Sequence, residues 1–380
     1  MRVVATPRVS QALGACGGPP TPAGDPGAEQ TLAERLGAGD TAGYARASAP
    51  RAFDFPADHG PHPAFRNEWW YVTGNLEAAD GRRFGYQVTF FRIALRPAAA
   101  ERPSAWATRD VWMAHVALSD LEQRRHLHAE RFARGAADLA GASAAPFRVW
   151  LEDWQVIGRP GFPWRVQVDA GAFRLDLELN PQRPPVLQGE QGLSRKSAEP
   201  GNASYYYSMT RLATRGRIRL ADQELEVAGL SWLDREWSTS ALSATQAGWD
   251  WFALQLDDGR DLMFYRLRGR DGSTDPLSAG SLVQRDGRVQ PLRSDQLRLR
   301  PLRWWQDRHG SRYPVSWELT LPGEARPLRV DAAFDAQLMD VSVRYWEGAV
   351  TVRNDDDPAI VGRGYLELAG YATGSGAATD

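Results

Sequence analysis

From Phe53 onward, apolar and polar residues alternate one for one over stretch after stretch. Phe173, Leu175, Leu177 and Leu179 alternate with Arg174, Asp176 and Glu178; Trp164, Val166 and Val168 with Arg165, Gln167 and Asp169; Tyr313, Val315, Trp317 and Leu319 with Ser316 and Glu318. A period of two puts successive side chains on opposite faces of an extended chain, so each stretch predicts a half-buried antiparallel strand. Asp-Gly pairs at 80/81, 258/259, 271/272 and 286/287 fall between such runs and predict type I′ hairpin turns, whose positive φ glycine tolerates. Long helical periodicity is missing, so the expected fold is all-β, an antiparallel meander closing into barrels or sandwiches.

The pattern repeats in outline. Glu68-Trp69-Trp70-Tyr71 leads to Asp80-Gly81-Arg82 and Phe90-Phe91-Arg92; later Trp249-Asp250-Trp251-Phe252 leads to Asp258-Gly259-Arg260 and Phe264-Tyr265-Arg266. Two similar β-lobes are the natural reading. They are placed at residues 51–242 and 243–374, with the boundary in the small, polar stretch from Ser240 to Gln246.

Residues 1–50 read differently. Cys16, the only cysteine, follows Leu13-Gly14-Ala15, which matches a lipobox, and Arg2 supplies a positive end. Val3 to Ala12 is a weakly apolar stretch broken by Pro7 and Arg8, and the competing reading is a stray cysteine in a disordered head. A Pro/Gly tract from Gly17 to Gly27 would serve as a tether. Thr31 and Glu34 form a capping box before Leu32 and Leu36, predicting a short helix. The expectation is an exported protein, periplasmic or tethered to a membrane through lipidated Cys16 alone, since no run reaches the roughly 18–20 apolar residues of a membrane span.

Charge is balanced, 45 Lys+Arg against 47 Asp+Glu, so no electrostatic footprint points to nucleic acid as a partner. One lysine, Lys196, stands in this otherwise all-arginine cation set; codon bias in a GC-rich genome accounts for such a set, and Lys196 receives no role from sequence.

Chemistry concentrates in two segments. Phe55 to Leu76 runs FPADHGPHPAFRNEWWYVTGNL, a Pro- and Gly-stiffened loop feeding a strand. Gly229 to Ser238 runs GLSWLDREWS, preceded by Ser204-Tyr205-Tyr206-Tyr207-Ser208 and followed by Gly248-Trp249-Asp250-Trp251-Phe252. His59 and His62 beside Asp58 offer metal-ligand atoms, but Pro61 and the lack of a Cys or Glu-x-x-His context argue against a metal, and the rings are expected to fix the loop by bonding Glu68 or backbone. His115 is expected to line the interior or face solvent, and His126, His128 and His309 to lie on the surface. No G-x-S-x-G elbow occurs, which disfavours a serine hydrolase.

Together with Gly364-Tyr365-Leu366-Glu367-Leu368-Ala369-Gly370-Tyr371, these segments give the chain, over Phe53 to Tyr371, a close resemblance to the lipocalin-like carotenoid 1,2-hydratase family and its AttH-type relatives, labelled predicted secreted hydrolases. The resemblance implies two lipocalin-like barrels around a pseudo-twofold axis, in an exported protein. It implies no cofactor, and water addition to a terminal C=C bond of an acyclic carotenoid. Arg235 stands where the W-L-D-H-E-W pattern of the family has His, and a guanidinium cannot shuttle protons.

Hydrating an unactivated alkene requires a carboxylic acid kept protonated by an apolar setting and aromatic faces to stabilise a carbocation. Asp234 is the expected acid, with Glu68 and Glu236 as further catalytic carboxyls; ordinary ion pairing is the plainer account of the same residues. A hydrophobic isoprenoid or lipid would contact His59, His62, Arg66, Trp69, Trp70, Tyr71, Tyr205, Tyr206, Tyr207, Trp232, Trp237, Trp249, Asp250 and Trp251, with Glu68, Asp234 and Asp250 converging on one cavity. The alternative, which Arg235 favours, is a non-catalytic, membrane-tethered carrier holding an apolar ligand in a barrel mouth and serving a transporter of the ABC type.

Overall fold

The computed structural model describes residues 41–97, 104, 106–158, 161–239, 242–324, 326–354 and 357–371. Cys16, the Pro/Gly tract and the capping-box helix lie outside these residues. Within them, regular structure consists of strands and one turn of 3₁₀ helix, Ala57–His59. The expected all-β architecture is what forms. Thirteen strands between Asn67 and Ser238 make one antiparallel sheet and ten between Gln246 and Ala369 make another, each curled around its own hydrophobic core.

The alternating runs behave as their period requires. Phe173, Leu175, Leu177 and Leu179 point into the first core while Arg174 faces solvent. Burying each such side chain contributes about 1.5–3 kcal/mol. The strand Arg312–Thr320 departs from the pattern, because Ser316 is buried as well and satisfies its hydroxyl on Asp331 at 2.6 Å.

The Asp-Gly turns are of another kind than expected. Gly81, Gly259, Gly272 and Gly287 adopt φ of 83 to 89°, but the aspartates before them are not in the positive-φ region that type I′ demands. Each aspartate accepts the amide two residues on, as Asp80 does from Arg82 at 3.0 Å, while Gly81 donates to Ala78 at 2.9 Å. A type I turn closed by a left-handed glycine results.

In both sheets the first strand lies between the second and the last. Asn67–Ala78 pairs with Arg83–Ala94 and with Gln223–Ser238; Gln246–Leu256 pairs with Asp261–Gly269 and with Ile360–Ala369. The sequence repeat is thus a structural one: Glu68 opposes Arg92 across its hairpin as Asp250 opposes Arg266 across its own. The outward faces of these central strands meet in a seam between the lobes, filled by Tyr71, Tyr206, Trp232, Trp251, Tyr265 and Tyr365.

Candidate active site

Strand parity decides where each functional side chain goes. On Asn67–Ala78, Trp70 and Val72 enter the first core, whereas Trp69 and Tyr71 face the seam. On the paired strand Gln223–Ser238, Leu233 and Trp237 go inward and Trp232 goes to the seam. Glu68 and Arg235 therefore share the inner face, and Asp234 and Glu236 the outer one.

The inner face carries a buried latch. Glu68 is fully buried, ion-paired with both Arg92 and Arg235, and accepts the His62 amide at 3.0 Å. Burial acts to raise its pKa, but the two guanidiniums override it and hold the carboxyl well below the usual carboxylate range. Arg92 also bonds Asp110 at 2.9 Å and the carbonyl of Phe65 at 2.7 Å, while Arg235 lies 3.8 Å over the Trp70 ring and donates to the Gly60 carbonyl. His62 stacks on Trp237 at 3.6 Å and bonds Asp58 at 2.9 Å. His59 bonds the Tyr207 hydroxyl at 2.6 Å, and burial followed by the Arg235 charge pushes its pKa down to about 4. Together these contacts clamp the Pro- and Gly-rich loop onto the first barrel.

One expectation is corrected here. Glu68, offered as a catalytic carboxyl, is held between two guanidiniums on the inner face, which favour its ionised form. Arg235 lies on the opposite face of the strand from Asp234. His59, His62, Trp70, Tyr205, Tyr207 and Trp237 likewise belong to the first core and its covering loop rather than to a shared ligand site. Arg66 is buried, with its backbone bonded to Thr239 and Ala94.

Asp250 is also corrected. It points into the second lobe, ion-paired with Arg266 at 2.6 Å and Arg268 at 3.0 Å and accepting the Tyr371 hydroxyl at 2.7 Å. It is the counterpart of Glu68 in the repeat. Glu68, Asp234 and Asp250 thus occupy three separate layers, and no single cavity gathers them.

What the seam does gather is a different set. Asp234, 3% exposed, accepts from Ser208 at 2.6 Å, from the Trp232 indole at 2.7 Å and from the Tyr206 hydroxyl. All three donors are neutral. Burial pushes its pKa up to about 7; the three hydrogen bonds pull against that and the Glu236 charge adds to it. Tyr206 in turn accepts from the Trp251 indole at 3.1 Å, so the second lobe reaches Asp234 through one hydroxyl. Glu236 takes the Ser204 hydroxyl and the Lys196 ammonium, the latter at 3.1 Å.

From the second lobe, Glu347 and Glu367 face each other on paired strands. Glu347 accepts the Tyr71 hydroxyl at 2.6 Å, and Glu367 accepts the Trp249 indole. Burial and then the Glu367 charge raise Glu347 well above the ordinary carboxyl range, while burial lifts Glu367 to about 7. Three buried carboxyls, the half-buried Glu367, indole and phenol rings and one ammonium therefore line the seam. Trp69, Trp249 and Lys196 are half-buried and form its rim.

Of the residues expected at the site, the structure brings together Asp234, Glu236, Trp69, Tyr71, Tyr206, Trp232, Trp249 and Trp251. Glu347, Glu367, Lys196 and Tyr265 were not anticipated. Glu367 sits in the Gly364–Tyr371 segment that carried part of the resemblance, which was the available signal; Glu347 stands alone in its strand and offered none. The expected interior or solvent position of His115 resolves to burial, bonded to Tyr345 at 2.9 Å and Glu130 at 2.9 Å. His126 is not a free surface group: it bonds Ser119 at 2.9 Å.

Comparison with known proteins agrees with the fold. The model of the AttH-like family matches residues 46–371. The crystal structure of an AttH protein from Nitrosomonas europaea is 38% identical, covering 85% of this chain and 100% of that one with a TM-score of 0.77. Kievitone hydratase from Nectria haematococca is 13% identical over 87% of this chain and 97% of its own, with a TM-score of 0.63. CghA, solved with Sch210972, is 13% identical over 85% and 94% of the two chains, with a TM-score of 0.50. At such identities the last two are alike in fold alone. No curated protein matches the chain.

Proposed function

The chain belongs to the AttH-like family, and from that premise we propose that it is a hydro-lyase-type enzyme that adds water to a C=C bond of an isoprenoid or other lipid held between the lobes. The observation that carries this reading is Asp234: a carboxyl buried among Trp232, Trp251 and Tyr206, held by neutral donors only, with its pKa lifted to about 7. A general acid is most effective when its pKa lies near the working pH. Asp234 would give its proton to one alkene carbon, leaving a carbocation at the other, which the faces of the seam indoles and phenols stabilise. Water then bonds to the cation, and its surplus proton returns to the Asp234 carboxylate, so that one water is added and the acid is regenerated. An acyclic carotenoid is the proposed substrate type, on the resemblance of the motifs Phe55–Leu76 and Trp232–Ser238 to carotenoid 1,2-hydratases.

We also propose, from the Cys16 lipobox, that the protein is exported and tethered by a lipidated cysteine. A purely carrier role beside a transporter rests on the capacity of such barrels to enclose a small ligand; the slight tilt toward it from Arg235 weakens with the guanidinium on the far face of the strand.

The test is incubation of purified protein with acyclic carotenoids and a panel of unsaturated lipids in H₂¹⁸O, beside Asp234→Asn. Incorporation of ¹⁸O by the native chain and at least a hundredfold less by the variant is expected, a loss in the range typical of a removed general acid. Absence of incorporation across the panel overturns the enzymatic reading.

A further inference from the structure

Lys196 is the single lysine among 45 basic residues, and it stands at the rim of the seam. It follows directly on the strand Leu193–Arg195 of the first lobe. Its amide donates to Asn202 at 2.9 Å, and its carbonyl accepts Gln246 of the second lobe at 2.8 Å, so its backbone is fixed where the lobes meet. The side chain is 18% exposed, and its ammonium lies 3.1 Å from Glu236 and 4.1 Å over the Tyr265 ring, with the Tyr206 ring 5.4 Å away. In a chain that uses arginine elsewhere, a compact point charge rather than a planar fork occupies this spot.

Its location has a chemical consequence. Asp234 and Glu236 are two residues apart on one face of one strand, and each repels the negative charge of the other. Glu236 meets the ammonium, whereas the direct partners of Asp234 are the neutral groups of Ser208, Tyr206 and Trp232. Between two coupled carboxyls, the one nearer a cation ionises and the other keeps the shared proton.

We propose that Lys196 is a positioning residue that decides which carboxyl of the seam carries the proton: its ammonium pins Glu236 as the carboxylate and so leaves the proton on Asp234. The proposal rests on the reading of Asp234 as the acid, to which it adds the group that selects Asp234 over its neighbour. The titratable groups that reach the pair are Tyr206 of the first lobe and Glu367 of the second, with Tyr265 beside Lys196, and none of them supplies a cation. The other charges of the seam therefore favour protonated carboxyls in general without choosing between these two. Burial opposes the charge on Lys196 itself, but Glu236 outweighs it and raises the ammonium pKa above that of an ordinary lysine.

The experiment needs no substrate. The full chain is reductively methylated with ¹³C-formaldehyde, so that Lys196 gives the only side-chain amine resonance, and this is titrated by NMR. A Glu236→Gln variant is expected to lower its midpoint by about one pH unit, the effect of losing one adjacent charge. In parallel, glutamate carboxyls are ¹³C-labelled and the protonated-carboxyl infrared band is recorded at pH 7. Lys196→Met is expected to add one protonated glutamate, removable by Glu236→Gln in the same background, while Lys196→Arg retains the native band. A lysine resonance indifferent to Glu236→Gln, or an unchanged glutamate band in Lys196→Met, overturns the proposal. If both linkages hold while no lipid is hydrated, the charge selection stands and only the catalytic reading falls.

Discussion

Glu68 and Asp234 lie on directly paired strands and point to opposite faces of the same sheet. Asp234 stands opposite Tyr71, three residues along from Glu68, and an odd offset on a pleated strand reverses the face. One carboxyl ends among guanidiniums inside the first lobe and the other among neutral donors in the seam. Identical chemistry is thereby given opposite proton affinities.

The latches at Glu68 and Asp250 are structural. Glu68→Gln leaves Arg235 buried without a counterion and Arg92 with Asp110 alone, and Asp250→Asn leaves both Arg266 and Arg268 without one. Removing one member of a buried ion pair destabilises by about 3–5 kcal/mol. Urea unfolding should show losses of that size for each variant. A variant that unfolds at the native midpoint would show its latch to be dispensable.

Arg235→His, which gives the chain the W-L-D-H-E-W pattern that the resemblance implies, is expected to weaken the protein without altering the acid. The imidazole loses the Glu68 pair and the cover over Trp70, both on the inner face. The melting temperature should fall by several degrees, at roughly 2–4 °C for each kcal/mol in a fold of this size. The pH at which Asp234 titrates should stay near 7. A large displacement of that midpoint would place the residue at the seam after all.

Stability should depend on pH with opposite signs at the two carboxyls. Asp234 and Glu367 have folded pKa values of about 7, above their unfolded values, so the folded chain binds protons more readily. Their stabilisation is complete below about pH 4 and is lost as pH rises from there to 7. At Asp234 the shift corresponds to ~4 kcal/mol. Glu68 is depressed, so its contribution is present at neutral pH and disappears only in strong acid. Calorimetry of native protein and Asp234→Asn between pH 4.5 and 8 should show a flatter profile for the variant, and parallel profiles would contradict the buried titration.

Much of this molecule was legible before any coordinate. The period-two alternation at Phe173–Leu179 and Trp164–Val168, the hairpin spacing, and the likeness of Glu68–Arg92 to Asp250–Arg266 along the chain all follow from local rules. A strand face and a turn are determined by residues within a few positions of one another. The grouping of Asp234, Glu236, Tyr206 and Trp251 was legible too, because unusual residue types cluster there.

What local rules could not decide is which side of a sheet faces another lobe. Glu68, Trp70 and Arg235 look equivalent to Trp69, Tyr71 and Asp234 in a linear reading, and only the packing of two curled sheets separates a solvent-free latch from a seam. Glu347, Glu367 and Lys196 come from segments far apart in sequence and acquire meaning by meeting Asp234 and Glu236 across that seam. Proton affinity in a buried carboxyl depends on the distance to the nearest charge and on the water it has lost, and both are properties of the assembled fold.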